Sequence, residues 1–173
     1  MGRRAVATAT ATVLVATAVI AYLALRPGAE EQRQAPEFSM PSLRDETETI
    51  ALADFRGEPL VLNFWASWCV PCRKEMPALQ KVSEATKGRV AFLGVNHQDG
   101  RRGAMRLLDE TGVTYPSVFD PGGRIAGRYR LFGMPTTFFI SADGRILGEH
   151  TGELTEDDLA ERLDRFFDIN LRQ

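Results

Sequence analysis

Apolar positions along this chain fall into two repeating shapes. Short unbroken runs, "PLVLNFWA" at 59–66 and "RVAFLGVN" at 89–96, have the length and composition of strands buried on both faces. Between and after them lie stretches with a 3.6-residue rhythm. One begins close to Cys69 and runs to about Lys87, with Met76, Leu79, Val82 and Ser83 in phase and Gly88 placed to end it. A second, over 100–111, has Met105, Leu107 and Leu108 as its apolar side. "TETIALADFRG" at 47–57 predicts a short strand and a turn, and "YPSVFD" with "PGGRIAGRY" a brief strand, a turn and a small helix. "PTTFFIS" and "GRILGEHTG" read as two strands joined through Ala142, Asp143 and Gly144, whose Asp-Gly pair is a hairpin signal. The last helix opens on a capping box, Thr155 with Asp158, and buries Leu159, Leu163, Phe166 and Phe167. The order strand, helix, strand, helix, hairpin, helix predicts an α/β domain over 42–173, a mixed sheet flanked by helices.

A different pattern precedes this domain. Residues 5–25, "AVATATATVLVATAVIAYLAL", are uncharged and about long enough to cross a hydrocarbon core of ~30 Å as a single helix. Arg3 and Arg4 before them predict a cytoplasmic N-terminus, with the domain on the extracytoplasmic side. Ala16-Thr17-Ala18 could serve as a signal-peptidase site, but apolar residues continue from Val19 to Leu25. The expectation is therefore an uncleaved signal-anchor over 1–25 in the cell membrane. Residues 26–41, with three prolines, a glycine and mixed charges, read as a linker.

Composition then narrows the chemistry. With 21 basic and 23 acidic residues the formal net charge is −2, which leaves no basic stripe for nucleic acid. The chain holds 2 cysteines and 2 histidines, Cys69, Cys72, His97 and His150. A structural zinc site needs four ligands, and histidines this far apart do not fit a finger, so no metal and no other cofactor is expected. A disulfide closing so short a loop constrains few unfolded conformations and makes a poor staple. As a redox pair the placement makes sense. At a helix start, unpaired N–H groups and the positive end of the macrodipole favour the Cys69 thiolate below the ~8.5 of a free cysteine. Cys72, one turn later, is placed to resolve a mixed disulfide formed by Cys69. Pro71 suits the first helical turn, whereas Pro77 falls inside the helix and should kink it. Trp65 reads as core, while Trp68, beside Cys69, is placed to cover the sulfur and contact substrate.

These residues carry a resemblance. The strand ending in "NFWASWCVPC", the helix continuing "RKEMPAL" and the distant "GMPTTFFI" are similar to the thioredoxin superfamily, and within it to the membrane-anchored TlpA/ResA-like thiol-disulfide oxidoreductases, over roughly 36–170. The resemblance implies a thioredoxin-like fold after an anchor helix, Cys69 as nucleophile and Cys72 as resolving thiol. It implies that Pro135 is a cis-proline facing the disulfide and that Met134 offers backbone groups to an extended substrate. Pro116 is the competing candidate for a cis bond. Where thioredoxin has a buried aspartate in the strand before the site, this chain has Asn63. The resembled group instead carries a glutamate three residues after the second cysteine, here Glu75, so Glu75 is expected to exchange a proton with Cys72, with a pKa raised by burial. The alternative is a solvated Glu75 paired with Arg73, Lys74 or Arg101. His97, in "NHQD", reads as a loop histidine without a site role.

The implied activity is extracytoplasmic disulfide reduction, with apocytochrome c or copper-site assembly proteins as substrates and a membrane thiol reductant as electron donor. Three alternatives stand beside it. One is an oxidant for general disulfide formation. The second is a peroxiredoxin-like peroxidase, although no Pro-x-x-x-Thr-x-x-Cys pattern precedes Cys69. The third is a copper-binding module using the same two thiols.

Overall fold

The computed structural model describes residues 33–171. A five-stranded sheet runs in the order β5-β4-β3-β6-β7, built from β3 (Leu60–Trp65), β4 (Ala91–His97), β5 (Ser117–Asp120), β6 (Thr136–Ile140) and β7 (Ile146–Thr151). The pairs β3–β4 and β4–β5 are parallel, and the pairs β3–β6 and β6–β7 are antiparallel. The helices are α1 (Val70–Ala85), α2 (Arg101–Thr111), α3 (Arg124–Tyr129) and α4 (Glu156–Phe167). This is the mixed sheet with flanking helices that the alternating pattern predicts, with a thioredoxin-like arrangement.

The central strand shows why its sequence is apolar throughout. Successive side chains of a strand point to opposite faces. Val61 and Trp65 join a core with Met76 and Leu79 of α1, Leu107 and Leu108 of α2, and Leu159 and Leu163 of α4. Leu60, Leu62 and Phe64 join a second core with Ile125 and Tyr129 of α3. Asn63 shares the parity of Val61 and Trp65, so the one polar residue of β3 points toward α1, among the residues of the first core.

Two boundaries differ from expectation. Residues 33–41, read as linker, belong to the fold: Ser39–Pro41 form β1, paired with β2 (Thr49–Ala51), and Ala35 and Phe38 are buried in the second core. The backbone of Ala35 donates to Gly144 at 2.9 Å, and that of Ile146 to Arg33 at 3.0 Å. The segment pairs along edges, so its prolines are tolerated, and two apolar anchors are too few to show a period. Helix α1 starts at Val70 and stops before Thr86, whose hydroxyl donates to the Val82 carbonyl at 2.8 Å. Gly88, at φ +77, turns the chain after the helix instead of ending it. The signal-anchor expected over 1–25, and the linker up to residue 32, lie outside the described residues. Among the described residues no helix is long and apolar enough to cross a membrane.

Candidate active site

The two cysteines meet where β3 hands over to α1. After Trp65 the chain makes one turn, closed by the Cys69 N–H donating to the Ala66 carbonyl at 3.1 Å. Cys69 is the N-cap of α1, and its sulfur accepts the Cys72 N–H at 3.2 Å. Cys69 and Cys72 form a disulfide with their Cα atoms 5.3 Å apart. Cys72 is fully buried and Cys69 is 5% exposed, so an incoming sulfur can meet Cys69 alone. Pro71 stands in the first turn, where its missing N–H leaves nothing unpaired, and that turn holds no acidic residue to oppose a thiolate.

Glu75 is 1% exposed, on the second turn of α1. One carboxyl oxygen accepts the Asn63 amide at 2.8 Å and the other accepts the Leu154 N–H at 3.1 Å. The Asn63 amide also donates to the Thr137 hydroxyl at 3.0 Å, from the residue facing it across the β3–β6 pair. Burial raises the Glu75 pKa from the ordinary 4.5 to about 7, partly offset by the Asn63 and Leu154 donors, with the negative charge of Glu153 adding to the rise. The solvated alternative does not hold: Arg73 pairs with Glu110, and Arg101 with Glu46 at 3.0 Å.

The other expected site residues have defined places. The Met134–Pro135 bond is the cis peptide among the described residues, so Pro135 takes the geometry for which Pro116 competes in the sequence. Met134 packs against the core that contains both cysteines. Trp68 is 59% exposed, and its indole N–H donates to the Gln98 carbonyl at 3.1 Å. His97, at the end of β4, lies against Gly123 with its pKa lowered, by burial first, against the opposing pull of Asp120.

Asp99 is a residue that sequence reasoning missed. Its carboxylate accepts the Ser67 N–H at 2.6 Å, the Ser67 hydroxyl at 2.7 Å, the Asn96 amide at 2.9 Å and the Gly100 N–H at 2.7 Å. Partial burial pushes this carboxyl up, but the donors outweigh it and hold its pKa below the ordinary value. With Gln98 on Trp68, the β4–α2 loop grips the active-site turn at two points. Ser67 and Asp99 are 32 positions apart, and no local pattern announces such a pair.

Comparison with known proteins fits this geometry. The sequence model of the AhpC/TSA family matches residues 32–148. The chain belongs to that family. It is 34% identical over 140 residues to the thioredoxin-like protein YneN of Bacillus subtilis, covering 79% of this chain and 81% of YneN. It is 32% identical over 143 residues to the thiol-disulfide oxidoreductase ResA of Bacillus cereus, covering 82% of each. The structure of a secreted thiol-disulfide isomerase from Corynebacterium glutamicum superposes with a TM-score of 0.72 at 29% identity, covering 83% of this chain and 90% of that one. Within the AhpC/TSA family this chain is thus a thiol-disulfide oxidoreductase of the ResA type, with Cys69 and Cys72 as its redox pair. Such enzymes act on protein disulfides.

Proposed function

We propose that this oxidoreductase works outside the cytoplasm as a reductant, passing electrons from a membrane thiol carrier to disulfides in apocytochrome c or in copper-site assembly proteins. The observation that carries the exchange step of this reading is the Glu75 carboxyl, buried three residues after Cys72 with a pKa of about 7, and the direction of electron flow rests on the resemblance to TlpA/ResA-like proteins. In the reduced protein the Cys69 thiolate attacks one sulfur of the substrate disulfide, and the other substrate sulfur leaves as a thiolate that takes a proton from solvent. The Cys72 thiol gives its proton to ionised Glu75, and the new Cys72 thiolate attacks the Cys69 sulfur. The second substrate sulfur leaves and is protonated. The substrate has gained two electrons and two protons, and Cys69–Cys72 is a disulfide again. The donor dithiol runs the same steps backward. A carboxyl that titrates near neutrality can take or return that proton in either direction.

Trp68, Met134 and Pro135 bind the substrate around the exchanging bond in this reading. The uncharged 5–25 segment behind Arg3 and Arg4 supports the location, and the resemblance to TlpA/ResA-like proteins supports the substrates. The test is Cys72→Ala in the full chain, which leaves Cys69 unable to release its partner. Isolation of the trapped species should give a cytochrome c precursor or a copper-site assembly protein. Recovery of many unrelated exported proteins would replace this reading with general disulfide formation.

A further inference from the structure

Among the described residues three large apolar side chains are exposed: Trp68 at 59%, Val70 at 65% and Phe132 at 95%. Trp68 and Val70 flank Cys69 in the chain, and Phe132 stands three residues before the cis-proline Pro135. Scattered exposed apolar residues are ordinary on a protein surface, but a set confined to the segments that carry one reactive bond marks an interaction surface. Phe132 also lines an open groove of about 430 Å³, with Leu131, with Ala126 and Gly127 of α3, with Gly123 and His97, and with Arg130 as its one charged wall. The residue after His97 is Gln98, whose carbonyl holds the Trp68 indole. The groove is therefore linked to the exchange site by two short stretches of chain, through Gln98 to Trp68 and through Gly133 to Met134 and Pro135. A side chain built at Gly127 would meet no atom within 4 Å, so the groove is open at that point.

We propose that this groove is a substrate subsite that takes a large apolar side chain from the polypeptide whose cysteine is joined to Cys69, with Phe132 as its anchor. The occupant is the disulfide substrate because the groove continues from the surface where that substrate must already sit. An extended chain advances ~3.3 Å per residue, so a side chain about two to four residues from the exchanging cysteine reaches it. Anchor side chains that become desolvated in a pocket are where interface energy concentrates, and Phe132, 95% exposed, has most of its surface left to bury on such an occupant. The inference rests on exchange with protein disulfides and is independent of the direction of electron flow.

The test uses the reduced full chain and three disulfides: oxidised glutathione, and two peptides each holding one cysteine joined to glutathione. One peptide has phenylalanine at the second and fourth positions from its cysteine, and the other has serine there. The wild-type protein should exchange with the phenylalanine peptide on the order of tenfold faster than with the serine peptide, as expected for burying one such side chain. Phe132→Ala removes the anchor and Gly127→Leu fills the groove, so each should abolish that preference while leaving the rate with oxidised glutathione, too small to reach the groove, unchanged. Equal rates for the two peptides in the wild type would overturn the proposal, as would variants that slow all three disulfides alike. A concentration-dependent dimer of the wild type that Phe132→Ala dissolves would also overturn it, assigning the face to a second copy of the chain.

Discussion

A single buried carboxyl ties the chemistry of this protein to its stability. The fold keeps the proton on Glu75 up to about pH 7, whereas the unfolded chain releases it near 4.5. Between those values the unfolded chain binds fewer protons, so stability falls as pH rises, by about 3 kcal/mol at 1.36 kcal/mol per pH unit, and levels off above pH 7. Urea unfolding of the oxidised protein at pH 4.5 and pH 8 should show this decline, and Glu75→Gln should flatten it. The same variant must turn an amide N–H toward either Asn63 or Leu154, both donors, at a cost of about 1–2 kcal/mol at every pH. In exchange kinetics it should erase the inflection near pH 7, and an unchanged profile would remove Glu75 from the proton path. Glu75 is legible in the sequence through the resemblance to TlpA/ResA-like proteins, and its cradle is not: Asn63, Thr137 and Leu154 come from three other segments. Asp99 is the same case in stronger form. Asp99→Ala orphans the donors of Ser67 and should cost about 1–3 kcal/mol while slowing exchange, read by thermal unfolding and by the rate with oxidised glutathione.

The strands and helices follow the apolar pattern closely, because each of the longer ones has a face or two to bury. Thr155 caps α4 as the sequence signals, its hydroxyl accepting the Asp158 N–H at 3.2 Å. What the pattern does not convey is why Gly94 stands in the middle of β4. A methyl group there would lie 2.3 Å from the Ser117 hydroxyl and 2.7 Å from the Trp65 indole nitrogen. The strand lacks a side chain at 94, which leaves room for the Trp65 indole, from the last residue of β3, and for the Ser117 hydroxyl. Gly94→Ala should therefore cost about 1–3 kcal/mol by overpacking, measured by urea unfolding, and should disturb the turn that carries Cys69.

For the molecule as a whole, the sheet with a core on each face is legible in the order of elements, but the starting point of the domain is not. Phe38 and Ala35 seal the second core from a stretch whose composition is that of a linker. A protein trimmed to 42–173 loses β1 and the burial of Phe38 and should be weaker than one trimmed to 33–173 by on the order of 3 kcal/mol, compared by thermal unfolding. The near-complete burial of Cys72 beside a slightly open Cys69 has a kinetic corollary for the whole enzyme. Electron donor and electron acceptor must occupy the same sulfur in turn, so no complex of all three partners can form. Varying both substrates should give parallel double-reciprocal lines, and each partner in excess should inhibit by competing for the form of the enzyme that belongs to the other. The supply of reducing equivalents and their use are thus kept apart in time by one seat that two partners share.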